Sequence, residues 1–112
     1  MKFATVIYTQ DVRSVLEFYQ RAFGIATRFC DDAYKYGELD IDGAILGIAS
    51  HSLGELVMPD AYHAPDGGNR GTSIEISFII EDVTQAFEQA LAAGSWRSRM
   101  APAYAGRVAG IR

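Results

Sequence analysis

The sequence predicts an α+β fold in which paired βαβββ modules form a curled mixed sheet with the helices outside, the second module lacking its last strand. Three observations predict it. Short runs rich in β-branched and aromatic residues alternate with two amphipathic helical patterns. The phrases IYTQDVRSVLEFYQRAFG and FIIEDVTQAFEQALAAG share one grammar of strand, Asp-Val, amphipathic helix and glycine. The 112 residues suffice for a single domain.

Each element has its own warrant. Phe3 to Thr9 (FATVIYT) reads as a strand. Asp11 is placed to cap the free amides of a helix whose apolar residues, Val12, Val15, Leu16, Tyr19 and Phe23, recur at helical spacing. Gly24 supplies the stop. Residues 25–31, 34–41 and 43–50 then read as three short strands, separated by turns at Asp31-Asp32 and Asp42-Gly43. From His51 to Gly71 no period is sustained, which predicts a linker or flap, although Leu53, Leu56, Val57, Met58 and Tyr62 give part of it something to pack. Residues 73–80 read as a strand. Asp82 then caps a second helix, with Gln85 in capping-box position and Gly94 at its end. Two weaker strands follow near 95–99 and 105–111, the second interrupted in its approach by Pro102. The expected organisation is therefore one domain: module one at 1–50, a loop at 51–71 and an incomplete module two at 72–112.

Composition narrows the function classes. With 49% hydrophobic and 21% charged residues and a net charge of -4, the chain carries no basic footprint for nucleic acid. No apolar run approaches the roughly eighteen residues of a membrane span, so no membrane partner is expected. The start reads as a first strand, not a signal peptide. One cysteine, Cys30, cannot form an internal disulfide and suits a reducing cytoplasm, the expected location. Its aspartate neighbours raise a thiol pKa, which argues against a nucleophile. His51 and His63 lack ligand spacing and read as surface-loop residues. Gly67 to Gly71 lacks the lysine of a phosphate loop.

Two modules that bury one sheet face under a helix leave their other faces free to curl into a cup. Strand periodicity assigns side chains to it. If Ile74, Ile76, Phe78 and Ile80 face the helix layer, Glu75 and Ser77 face the cup. Glu75 is then either a cavity carboxylate for a cationic or hydrogen-bonding ligand, or a carboxylate that is solvated or paired with an arginine. On the first strand Ala4, Val6 and Tyr8 share the cup parity, leaving Phe3, Thr5 and Ile7 for the helix. Tyr34, Tyr36 and Glu38, at period two, form an aromatic wall with a second acid if that face is inward. Trp96 and Tyr104 are placed to close the cavity. For each of these residues, ordinary strand composition is the competing explanation.

The repeat, the two Asp-Val helix starts and the strand count together resemble the vicinal-oxygen-chelate superfamily, which includes glyoxalase I, extradiol dioxygenases and bleomycin-resistance proteins. EISFIIEDV and the chain length are most similar to the bleomycin-resistance-like group. Metal-dependent relatives place a histidine seven residues before each helix-opening aspartate; here those positions hold Ala4 and Glu75. The fourth-strand ligand position falls among Ala44 to Ile48, where no side chain binds metal. The resemblance thus implies a protein without metal or cofactor, more a binding protein than an enzyme, which sequesters an aromatic or cationic small organic ligand. Its ligand-binding residues would be Tyr8, Tyr36, Glu38, Glu75, Ser77 and Trp96, and its partner a second copy in a homodimer. A divalent-metal glyoxalase or dioxygenase, with ligands from a second chain or the loop histidines, and a truncated member without activity are the alternatives.

Overall fold

The computed structural model describes residues 1–64 and 76–94. Strand β1 (Ala4–Thr9) leads into helix α1 (Val12–Phe23), and strands β2 (Thr27–Cys30), β3 (Tyr36–Ile41) and β4 (Ala44–Ser50) complete a βαβββ unit. Helices α2 (His51–Val57) and α3 (Val83–Ala92) follow. The four strands form one mixed sheet in the order β1-β4-β3-β2, parallel between β1 and β4 and antiparallel elsewhere.

Helix α1 forms where the sequence pattern places it. The Asp11 carboxylate accepts from Ser14 N at 3.1 Å and from Ser14 Oγ at 2.6 Å, and these bonds hold its pKa below the ordinary value. Gly24 ends the helix with φ 68, a left-handed conformation that costs glycine nothing. Val12, Val15, Leu16, Tyr19 and Ala22 turn one face of α1 onto the sheet, where Leu39 and Ile48 are 0% exposed. Leu16 lies over Gly37 so closely that a Cβ there would sit 2.7 Å from its Cδ1. This glycine lets the helix settle onto β3.

The second half of the chain attaches through aromatic packing and one cap. Asp82 accepts from Gln85 N at 3.0 Å and starts α3, whose Ala90 is buried in the same core. Gln89 Nε2 donates to the Arg21 carbonyl at 2.9 Å, tying α3 to α1. The Phe78 ring lies 4.8 Å from that of Phe23 and 6.3 Å from that of Tyr19. Ile76 and Phe78 pack on the core, while Ile79 is fully exposed. The expected alternation of faces therefore holds at 76–79.

Three expectations need correction. Residues 76–80 carry no strand ladder, so the strand predicted at 73–80 is absent over its described part. Alternation decides which side a residue faces, but a strand also needs a hydrogen-bonded neighbour. His51–Val57, read as loop, is helix α2: the Ser50 hydroxyl accepts from Leu53 N at 3.2 Å, and seven residues are too few to display a helical period. Phe3, expected against the helix layer, is 76% exposed because it precedes β1 and lies beyond its cover. The tail strands near 95–99 and 105–111 fall outside the described residues.

Candidate functional site

The sheet face opposite α1 is the candidate site. Leu46 and Ile48 belong to the core under α1, so Ile45, Gly47 and Ala49 point the other way. Register carries this face across the sheet in two rows: Tyr8, Ala49 and Tyr36 in one, and Val6, Gly47, Glu38 and Phe29 in the other. Gly47 is the low point of the floor. A Cβ there would sit 2.9 Å from Tyr36 Oη and 3.2 Å from Val6 Cγ2. The missing side chain is what allows the Tyr36 ring to lie down on the sheet.

Local structure aims Tyr36 and Glu38. Asp31 Oδ1 accepts from Lys35 N at 2.8 Å and from Tyr36 N at 2.9 Å, closing the turn that delivers the chain into β3. Tyr36 Oη donates to Glu38 Oε1 at 3.0 Å, and Arg28 Nη2 donates to Glu38 Oε2 at 2.8 Å. Both carboxylate oxygens are thus engaged, and Glu38 is 19% exposed against 48% for Arg28. Burial, with the Glu38 contact second, pushes the Tyr36 pKa above its ordinary 10.0, so the phenol remains a donor at neutral pH.

Arg28 reaches this face because of a β-bulge. Thr27 pairs with Leu39 and Phe29 with Glu38, leaving Arg28 as an extra residue. Strict alternation from Cys30, which packs on the core, would send Arg28 toward α1. Sequence reasoning missed Arg28 for this reason, since a bulge leaves no mark on the residue pattern.

A second aromatic group stands at the β1 edge of the floor. Tyr62 folds back from beyond α2, its amide donating to the Met58 carbonyl at 2.9 Å. Its ring lies 5.1 Å from that of Tyr8, and its hydroxyl is hydrogen-bonded to His51 Nδ1. Gly54 makes room for it, because a Cβ there would meet the ring at 2.6 Å. Burial, then Glu55, raise the Tyr62 pKa. His51 is therefore half-buried and engaged with Tyr62, not a free loop residue. The Ser50–Leu53 cap was the available signal for α2; the Tyr62 contact is non-local and had none.

Of the expected site residues, Tyr8, Tyr36 and Glu38 share this face. Ser77 is exposed on the side of its segment away from Phe78. Glu75 and Trp96, with Tyr104, lie outside the described residues. Tyr34 does not join the wall: it sits in the turn before β3 with φ 53, and Arg13 from α1 lies over its ring at 5.5 Å. The period of two begins only at Tyr36, the first residue of β3. Burial first, then Asp31 and Asp32, raise the Cys30 pKa. Among the described residues no three His, Cys, Asp or Glu side chains are grouped to hold a metal ion.

No protein-family profile matches the sequence, and no curated protein does. Solved structures do match. A gene product from Arabidopsis thaliana aligns over 94% of this chain and 80% of its own, with a TM-score of 0.67 at 18% identity. A glyoxalase/bleomycin resistance protein/dioxygenase family enzyme from Burkholderia phytofirmans aligns over 86% and 80%, with a TM-score of 0.63 at 19% identity. A glyoxalase-related enzyme from Fulvimarina pelagi reaches 0.69 at 17% identity, over 85% of this chain and 66% of its own. The chain has the vicinal-oxygen-chelate fold. Within that fold the first βαβββ module is complete here, and the second is incomplete among the described residues. Of the positions where the resemblance places metal ligands, β1 offers Ala4 and β4 offers Ile45 and Gly47 on this face, and none can donate to a metal.

Proposed function

We propose that this protein binds a small aromatic molecule on the sheet face away from α1, sequestering it without a covalent step, in the cytoplasm. The observation that carries the proposal is the floor itself: a glycine and an alanine flanked by Tyr8, Tyr36 and Tyr62, beside a fixed Arg28–Glu38 pair. Flat apolar surface with a few oriented polar groups suits an organic ring. The chemistry of these groups supports binding over catalysis. The thiol and the shifted tyrosines all have raised pKa values, so none is primed as a base or nucleophile at neutral pH. The cationic ligand among the expectations is less well served, because both Glu38 oxygens already have partners.

Calorimetric titration of the full chain with a panel of aromatic compounds is expected to give saturable binding. Tyr36→Ala is expected to weaken it by roughly tenfold, the loss of one aromatic contact surface. A panel with no saturable heat would end the proposal.

A homodimer is proposed with it. Among the described residues strand β1 is an edge of the sheet, and Phe3 just before it is 76% exposed. An apolar edge of this kind is what proteins cover. Light scattering at micromolar concentration is expected to return twice the chain mass, and the mass of a single chain would contradict it.

A further inference from the structure

The ligand class can be narrowed from the polar atoms left over on this face. Each Glu38 oxygen already accepts one hydrogen bond, Oε1 from Tyr36 and Oε2 from Arg28. Asp40, the next acid in the same parity of β3, accepts from Gly43 N at 3.2 Å in the β3–β4 turn. Arg28 uses Nη2 for Glu38, and a guanidinium carries five N–H donors. Its remaining donors have no partner among the described residues, and its side chain is 48% exposed. The spare N–H groups of Arg28 are therefore open to an acceptor, beside carboxylate oxygens of Glu38 that already accept one bond each.

Apolar surface adjoins them. Phe29, next to Arg28 in the bulge, is 53% exposed, and Val6, in the same row, is 41% exposed. The Tyr36 ring lies between them over Gly47. A planar ring laid on Phe29, Tyr36 and Val6 brings a substituent at its edge toward Arg28. A carboxylate there meets the guanidinium fork with matching geometry. Glu38 partly neutralises Arg28, so the subsite favours a single carboxylate on an apolar body and not a polyanion.

We propose that the subsite formed by Arg28, Phe29, Tyr36 and Val6 takes an aromatic monocarboxylate, its carboxylate on Arg28 and its ring on the apolar row. This rests on the aromatic-binding function proposed above, and the two are separable by experiment. Naphthoate, naphthylmethanol and naphthylmethylammonium share one ring system and differ in charge. In calorimetric titrations of the full chain, naphthoate is expected to bind roughly tenfold more tightly than the alcohol, the effect of one charge-assisted hydrogen bond, with the ammonium weakest. Arg28→Gln is expected to remove the difference between naphthoate and the alcohol. Glu38→Gln is expected to tighten naphthoate, because it removes the negative partner and leaves Arg28 uncompensated. It also keeps the test decisive if Arg28→Gln does not fold. Equal affinities, a preference for the ammonium, or weaker naphthoate binding in Glu38→Gln would overturn the carboxylate assignment while leaving aromatic binding intact. Absence of binding by all three compounds would overturn both.

Discussion

Leu39→Ala is expected to lower the stability of the fold by about 3 kcal/mol. Leu39 is 0% exposed at the centre of β3, opposite Leu46 in register and beside Ile48 in the core under α1. Its removal strips a buried side chain of its burial and leaves a cavity. The walls of that cavity are poorly able to collapse. Two of them are strands locked by ladder bonds, and α1 already rests on Gly37 through Leu16. The loss is a large share of the roughly 5–15 kcal/mol that domains of this size possess. Urea unfolding measures it, with Leu56→Ala as the companion. Leu56, 76% exposed on α2, is expected to stay within about 0.5 kcal/mol of the parent. Equal midpoints for the two variants would mean that the core does not lie between α1 and the sheet.

Gly47→Val is expected to abolish most of the ligand binding, by more than roughly tenfold, and to cost about 1–3 kcal/mol of stability through overpacking. The new Cβ would stand 2.9 Å from Tyr36 Oη, 3.0 Å from its Cε2 and 3.2 Å from Val6 Cγ2. Val6 is held in β1 by the parallel ladder with β4, so Tyr36 is the group that moves. Lifting it off the floor breaks its bond to Glu38 and fills the space a ring would occupy. The double variant Gly47→Val with Tyr36→Ala separates the two effects. It is expected to recover stability, because the clashing ring is gone, without recovering affinity. Calorimetry and urea unfolding on the three proteins give both quantities. Parental affinity in Gly47→Val would place the binding site elsewhere.

Much of this was legible in the order of residues. The helix caps at Asp11 and Asp82 and the glycine stop at Gly24 are local chemistry, and they stand where the pattern puts them. The shared face of Val6, Tyr8, Tyr36 and Glu38 follows from a period of two within regular strands. What escaped were the departures from regularity. Arg28 joins the site through an inserted residue, and Tyr34 leaves it through a positive φ at the turn. Tyr62 arrives by a contact with Gly54 and Tyr8 that no local pattern encodes. The segment 76–79 has the expected facing without a ladder, because pairing depends on a distant neighbour, and Ile80, expected against the helix layer, is exposed.

The irregularity in β2 makes the electrostatics of the binding face a matter of chain counting. Removing one residue from the pair Arg28–Phe29 would restore simple pleating, and whichever of the two survived would occupy the position beside Glu38. Loss of the Arg28 codon would thus turn a compensated acid into an open one, converting a face that welcomes anions into one that welcomes cations. No side chain of the hydrophobic interior would have to be exchanged for that reversal.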